Sequence, residues 1–90
     1  MTVYVDPLMS HGWVLRGKTV KSCHLVADTL DELHGMAHRI GMKRGWFQDG
    51  RLPHYDLTEA RRKNAVWWGA KELTRRELVD WMKRYRKEKA

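Results

Sequence analysis

A single cysteine, two prolines and no apolar run near the ~20 residues that span a bilayer are the first facts about this 90-residue chain. With Cys23 alone, an internal disulfide is excluded, and so is any zinc motif built on several cysteines. Lone-cysteine usage fits a reducing compartment, so the expected location is cytoplasmic. The first residues lack the charged-then-apolar pattern of a signal peptide, and neither secretion nor membrane insertion is expected. Repeats and low-complexity segments are missing too. A chain this short has too little interior to divide, so residues 1–90 should form a single domain.

What is present is enough to fold. Hydrophobic residues make up 42% of the chain, five of them tryptophan, and the 32% that are charged carry both signs. The net charge of +7 is unevenly placed. Residues 1–60 hold seven Lys/Arg and seven Asp/Glu, whereas residues 61–90 hold eleven against four. The basicity therefore belongs to the last third, on an otherwise neutral body.

Thr2-Val3-Tyr4-Val5 reads as a first strand, stopped at Asp6-Pro7. Residues 8–18, with Gly12 and Gly17 around Trp13-Val14-Leu15, read as a loop or small hairpin. Residues 19–27 form a second strand, with Cys23, Leu25 and Ala27 on one face and His24 and Val26 on the other. Thr29-Leu30-Asp31-Glu32 is a capping box that opens a helix with Leu30, Leu33, Ala37 and Ile40 on one face and Gly41 as its stop. Residues 45–48 are expected as a third short strand and residues 49–53 as a turn-rich loop leading to His54. A second helix should start near Asp56 or Thr58 and run to Trp68. Residues 70–73 then fit an edge strand. Thr74-Arg75-Arg76-Glu77, a second capping box, opens a third helix with the stripe Leu78, Trp81, Met82 and Tyr85. Its basic end, residues 83–90, should fray. This order predicts an α/β fold: a small single-domain sheet of three to four short strands with about three helices packed on it.

If the helices are right-handed crossovers between parallel strands, every strand-to-helix link emerges at one sheet edge. His24 and Asp28 precede the first helix, and His54, Tyr55 and Asp56 precede the second. Asp6-Pro7 can join them. Helix N-termini favour anions, and Arg61 and Arg62 add charge beside the second one. The expected ligand-binding set is therefore His24, Asp28, His54, Tyr55, Asp56, Arg61 and Arg62, with no catalytic residue assigned and no cofactor named.

The plainer alternatives stand beside it. Asp28 and Asp56 serve equally as helix caps, and His24 as a structural histidine in a strand. His34 and His38 share a helix face at i, i+4 but lack the glutamate of the zinc-protease motif, so they read as surface histidines. A metal site from His24, Asp28, His54 and Asp56 is chemically feasible but weakly specific, and none is expected. Trp46-Phe47 and Trp67-Trp68 could stack on a base, although one of each pair should be core. Cys23 reads as a small buried hydrophobe.

The segments Tyr4-Val5-Asp6, Cys23-His24-Leu25-Val26-Ala27-Asp28-Thr29, Glu32-Leu33-His34, Met36-Ala37, Arg39-Ile40-Gly41, Gln48, His54-Tyr55-Asp56 and Gly69-Ala70 carry a pattern. Over roughly residues 2–80 the chain resembles domain-of-unknown-function family 4031, uncharacterised bacterial and phage proteins. That the domain stands beside an HD-type phosphohydrolase in some bacterial chains implies nucleotide-related work. The extended Trp13 loop and the basic helix after residue 80 depart from the short phage-type pattern.

The leading expectation is a binding module for a small phosphorylated, nucleotide-like ligand, as in a phage or bacterial accessory protein that sequesters a signalling nucleotide. Two further classes remain open: a nucleic-acid binder using the basic residues 83–87, and a metal-dependent phosphohydrolase using the His/Asp cluster. No membrane partner is expected. The 78–85 stripe could pack on its own sheet or on a second copy.

Overall fold

The computed structural model describes residues 2–89. Five strands, β1 (Val3–Val5), β2 (Met9–Leu15), β3 (Lys18–Ala27), β4 (Tyr55–Thr58) and β5 (Lys71–Glu72), combine with helices α1 (Leu30–Arg39), α2 (Glu59–Trp67) and α3 (Arg75–Lys89). An isolated bridge between Gln48 and His54 extends the sheet further. The fold is α/β with three helices, as expected, but the strands outnumber the three to four predicted. Two strands were not expected: β2, because residues 8–18 form a full hairpin arm, and β4, which occupies Tyr55–Thr58 where the second helix was expected to begin. The two-residue turn between β2 and β3 puts both Arg16 (φ 53°) and Gly17 (φ 77°) in the left-handed region, the conformation that matches the twist of paired strands.

The strand order is β2-β3-β1-β5, with β4 paired to β3 off this path. β1 and β4 both run antiparallel to β3, and only β5 is parallel to its neighbour β1. The parallel-crossover arrangement expected from the element order is therefore wrong. Ser22 pairs with Thr58 and Leu25 with Tyr55, so β4 ends beside the middle of β3 while α1 begins past its C-terminal end. At about 3.3 Å per residue, the α1 and α2 N-termini lie some 20 Å apart along β3. They cannot hold one anion between them.

Local signals were otherwise obeyed. The Thr29 hydroxyl accepts the Glu32 N–H at the start of α1, and Thr74 and Glu77 bond reciprocally before α3. Thr58, not Asp56, caps α2. Gly41 (φ 79°) ends α1 as its stop, with Met42 N–H returning to Ala37 O. Residues 45–48 depart from expectation: Arg44–Trp46 is a 3-10 turn closed by i to i+3 bonds, and only Gln48 pairs as strand. α3 is continuous to Lys89, and Ala90 lies outside the described residues.

The faces of β3 alternate as predicted. Cys23, Leu25 and Ala27 join Leu33, Met36, Ala37, Tyr55, Leu57 and Ala65 in the larger core, under α1 and α2. Val26, on the other face, packs with Leu78 and Trp81 of α3, with Tyr4, Met82 and Tyr85 around them. The 78–85 stripe thus covers its own sheet. One of the two aromatic pairs departs from expectation, while Trp81 is buried as the 78–85 stripe predicted. Phe47 packs on the core, but Trp67 and Trp68 are both exposed, because α2 turns Ala65 inward and Gly69 (φ 108°) bends the chain away at once. No helix among the described residues is long and apolar enough to cross a membrane.

Candidate metal centre

α3 covers only the Tyr4–Val26 end of its face. Farther along that face, period-2 alternation brings polar side chains up together. His24 on β3 lies directly across from Asp56 on β4, and His54, two residues earlier, shares the same side. His54 Nε2 is 3.6 Å and His24 Nε2 is 4.0 Å from Asp56 Oδ1. All three donor atoms lie within 4.8 Å of one another, the one group of this kind among the described residues. The side chains remain 32%, 22% and 39% exposed for His24, His54 and Asp56, so an ion and a water have access.

Each of these groups is held from behind. The carboxylate of Asp6, only 6% exposed, takes the His24 backbone N–H at 2.6 Å on Oδ1 and contacts the ring Nδ1 at 2.8 Å through Oδ2. The His54 Nδ1 lies 2.8 Å from the Leu52 carbonyl, which can only accept, so that nitrogen carries the proton. Gln48 Nε2 donates to Asp56 Oδ2, leaving Oδ1 turned toward the histidines. Both imidazoles thus present Nε2 as the ligating atom, and their Nδ1–H groups are oriented by a carboxylate and a carbonyl. This is how metal-ligating histidines are usually fixed.

Electrostatics follow from the same contacts. The Asp6 hydrogen bond raises the His24 pKa above its ordinary value, against the opposing effect of burial, and the Asp6 and Asp56 charges add to the rise. Burial alone would push the Asp6 carboxyl up, but the bonds from the His24 ring and backbone outweigh it and hold the pKa below the ordinary value. A tetrahedral ion with bonds of about 2.1 Å sets its donors about 3.4 Å apart, so small side-chain rotations close the present spacings. Two imidazole nitrogens and one carboxylate suit zinc or another late divalent transition metal, with coordination positions left for water or substrate.

The other predicted site residues are placed elsewhere. Asp28 accepts from Tyr4 OH at 3.3 Å and from Trp81 Nε1 at 3.0 Å, tying α3 to the sheet well away from the cluster. Tyr55 is buried on the opposite face, its hydroxyl 2.7 Å from His34 Nδ1. His34 is accordingly half-buried against Tyr55 and Phe47 rather than a plain surface histidine. Arg62 is a strut, with Nε on the Asp6 carbonyl and Nη1 on Glu72, both at 2.9 Å. Arg61 reaches the Gly41 carbonyl and lies over the Trp46 ring. Cys23 is buried and its thiol is pushed up to about 12, chiefly by burial, as suits an inert core residue.

Three contributors were missed or underweighted in the sequence: Asp6, Gln48 and the Leu52 carbonyl. Asp6-Pro7 was read as a strand end that could join the polar links, without its role behind His24, and the signal that would have exposed that role is the antiparallel pairing of β1 with β3. The model of the family described as Protein of unknown function (DUF4031) matches residues 3–85. No curated protein and no solved structure matches the chain.

Proposed function

The chain belongs to the DUF4031 family, whose function is unknown, and from its geometry we propose a metal-dependent phosphohydrolase acting on a small phosphorylated ligand. One observation carries this reading: His24 Nε2, His54 Nε2 and Asp56 Oδ1 converge with their far sides already hydrogen-bonded. Structural metal sites use four protein donors, whereas catalytic ones use three and keep a position for water. A divalent ion there lowers the pKa of its bound water and polarises a phosphoryl oxygen. In the hydrolysis, the water oxygen bonds to phosphorus as the ester P–O bond breaks. The leaving alkoxide takes up one proton, and the water's other proton stays on the phosphate or passes to solvent. Arg51, on the 50–52 loop beside His24 and His54, supplies positive charge for the phosphate.

Calorimetric titration with Zn²⁺ and Mn²⁺, paired with release of p-nitrophenol from p-nitrophenyl phosphate and its diester, tests the reading. One ion per chain is expected, lost in His24→Ala, His54→Ala and Asp56→Ala and retained in His38→Ala, with turnover following the metal. Absence of metal binding removes the proposal. Metal binding without turnover leaves the chain a metal-assisted binding module. The exposed Lys83, Arg84, Arg86 and Lys87 on α3 support nucleic-acid binding as a second reading.

A further inference from the structure

Alongside the metal cluster, sharing Asp56 and Gln48 with it, runs a groove of about 490 Å³ lined by Trp13 and Leu15 of β2, Met42, Trp46, Thr58 and Arg61. Its volume falls within the range of small-molecule sites, about 300–1,000 Å³. Its walls come from four separate segments: the hairpin arm, the loop after α1, β4 and the start of α2. Two of the linings are large aromatics that folding has left in solvent, Trp13 at 37% and Trp46 at 45% exposed. An indole held against solvent at the mouth of an apolar groove is a surface on which a flat ring can stack. The Arg61 guanidinium and the Lys43 ammonium each lie over the Trp46 ring, 5.5 Å from its centre, so a base would stack beside or displace a cation there; Arg61 also bonds the Gly41 carbonyl, while its buried Nε has no partner among the described residues. The groove therefore joins aromatic and apolar walls, a cation and the carboxylate that faces the two histidines, which themselves line a neighbouring cavity that shares Gln48 with it.

We propose that this groove takes the base of a mononucleotide, stacked on Trp46 and Trp13, with its phosphate directed to the His24–His54–Asp56 metal. The inference rests on the metal reading and assigns its substrate class. A sugar phosphate without a base would leave the aromatic walls uncovered, and a purely apolar ligand would leave Arg61 and the metal without a counter-charge. A nucleoside monophosphate supplies a planar ring and an anion on one scaffold.

The test compares AMP, GMP, ribose 5-phosphate and inorganic phosphate for binding to the Zn²⁺-loaded chain, read by calorimetry and by quenching of tryptophan fluorescence. Trp46→Ala and Trp13→Ala are titrated with Zn²⁺ alone as well, which checks their folding and the metal site independently. Stacking on an aromatic side chain is worth a factor of about 5 to 150 in affinity. The nucleotides are expected to bind more tightly than ribose 5-phosphate by a factor in that range. Trp46→Ala should abolish the difference while Zn²⁺ affinity stays unchanged. Equal binding of AMP and ribose 5-phosphate, or a preference that survives both substitutions, overturns the proposal. Tight binding of a short oligonucleotide with none of AMP or GMP also overturns it, in favour of a nucleic-acid groove. If Zn²⁺ fails to bind but the base preference and its loss in Trp46→Ala persist, the groove assignment stands and the metal reading falls.

Discussion

Replacing Asp6 by Asn changes one atom and should separate the structural from the metal-directing role of the site. The wild-type carboxylate only accepts, which fixes the His24 proton on Nδ1 and leaves Nε2 to ligate. In Asp6→Asn the amide oxygen can keep the backbone bond from His24 N–H, so its –NH₂ faces the ring. Nδ1 must then accept, the proton moves to Nε2, and the ligating lone pair is lost. A charge-assisted hydrogen bond to a group only 6% exposed contributes about 1.5–3 kcal/mol, and the metal-free chain should lose about that much in urea unfolding. Removing the partner of a ligating histidine costs about 10- to 100-fold in metal affinity. Zn²⁺ titration of Asp6→Asn should therefore show that weakening, and in a His24→Ala background the same substitution should have no further effect on Zn²⁺. Unchanged Zn²⁺ affinity alongside the stability loss would refute the tautomer argument and leave Asp6 a packing residue.

The Asp6–His24 pair also sets a pH window for the metal-free chain. The lowered Asp6 pKa gives stability that is present above its ordinary 3.8 and lost as pH falls through the folded value. The raised His24 pKa gives stability that is full below its ordinary 6.5 and lost as pH rises through the folded value. Urea midpoints should thus be highest between about pH 4 and 6.5, and Asp6→Asn should flatten both flanks. Tyr55→Phe, which leaves His34 Nδ1 without its hydroxyl partner, should cost about 1–2 kcal/mol in urea unfolding and leave Zn²⁺ affinity intact; a Zn²⁺ defect would mean the two sheet faces are coupled. Trp81→Phe, which removes the Nε1 bond to Asp28, should cost about 1–3 kcal/mol, read the same way. Reversing Lys83, Arg86 and Lys87 to Glu should abolish any salt-sensitive binding of a short duplex DNA, and salt-insensitive binding would rule out phosphate contacts by this helix.

Capping residues and periodicity were legible because they act within one element. Thr29, Thr74 and Gly41 each satisfy groups a few residues away, and the alternation Cys23, Leu25, Ala27 against His24, Val26 is a property of one strand. The capacity of Asp28 to cap was legible in the same sense, but its real partners are Tyr4 and Trp81, 24 and 53 residues away. Tyr55 illustrates the other difficulty. A His-Tyr-Asp segment read as loop offers all three side chains to one ligand, but as strand it must divide them between faces, and Tyr55 goes to the core.

Strand direction decided the rest. β3-α1 followed by another strand is compatible with a parallel crossover, and nothing local to residues 24 or 54 distinguishes that from a reversal. The reversal is made at residues 48–54, where the mutual Gln48–His54 bonds close the 49–53 loop into a hairpin-like turn and deliver β4 antiparallel to β3. Parallel pairing would have left His24 and His54 at links beside helix N-termini, where an anion is the natural ligand. Antiparallel pairing sets His24 opposite Asp56 in mid-sheet, with Asp6 of the neighbouring β1 end behind it. There the His24 backbone N–H is taken by the Asp6 carboxylate and β4 lies paired along β3, so the site lacks the free N–H groups of a helix N-terminus. The converging side chains, two imidazoles and a carboxylate, all offer lone pairs once the histidines are neutral. Three of the residues that suggested an anion site from sequence, His24, His54 and Asp56, are, once the strands are reversed, a donor set that supports the proposed cation site.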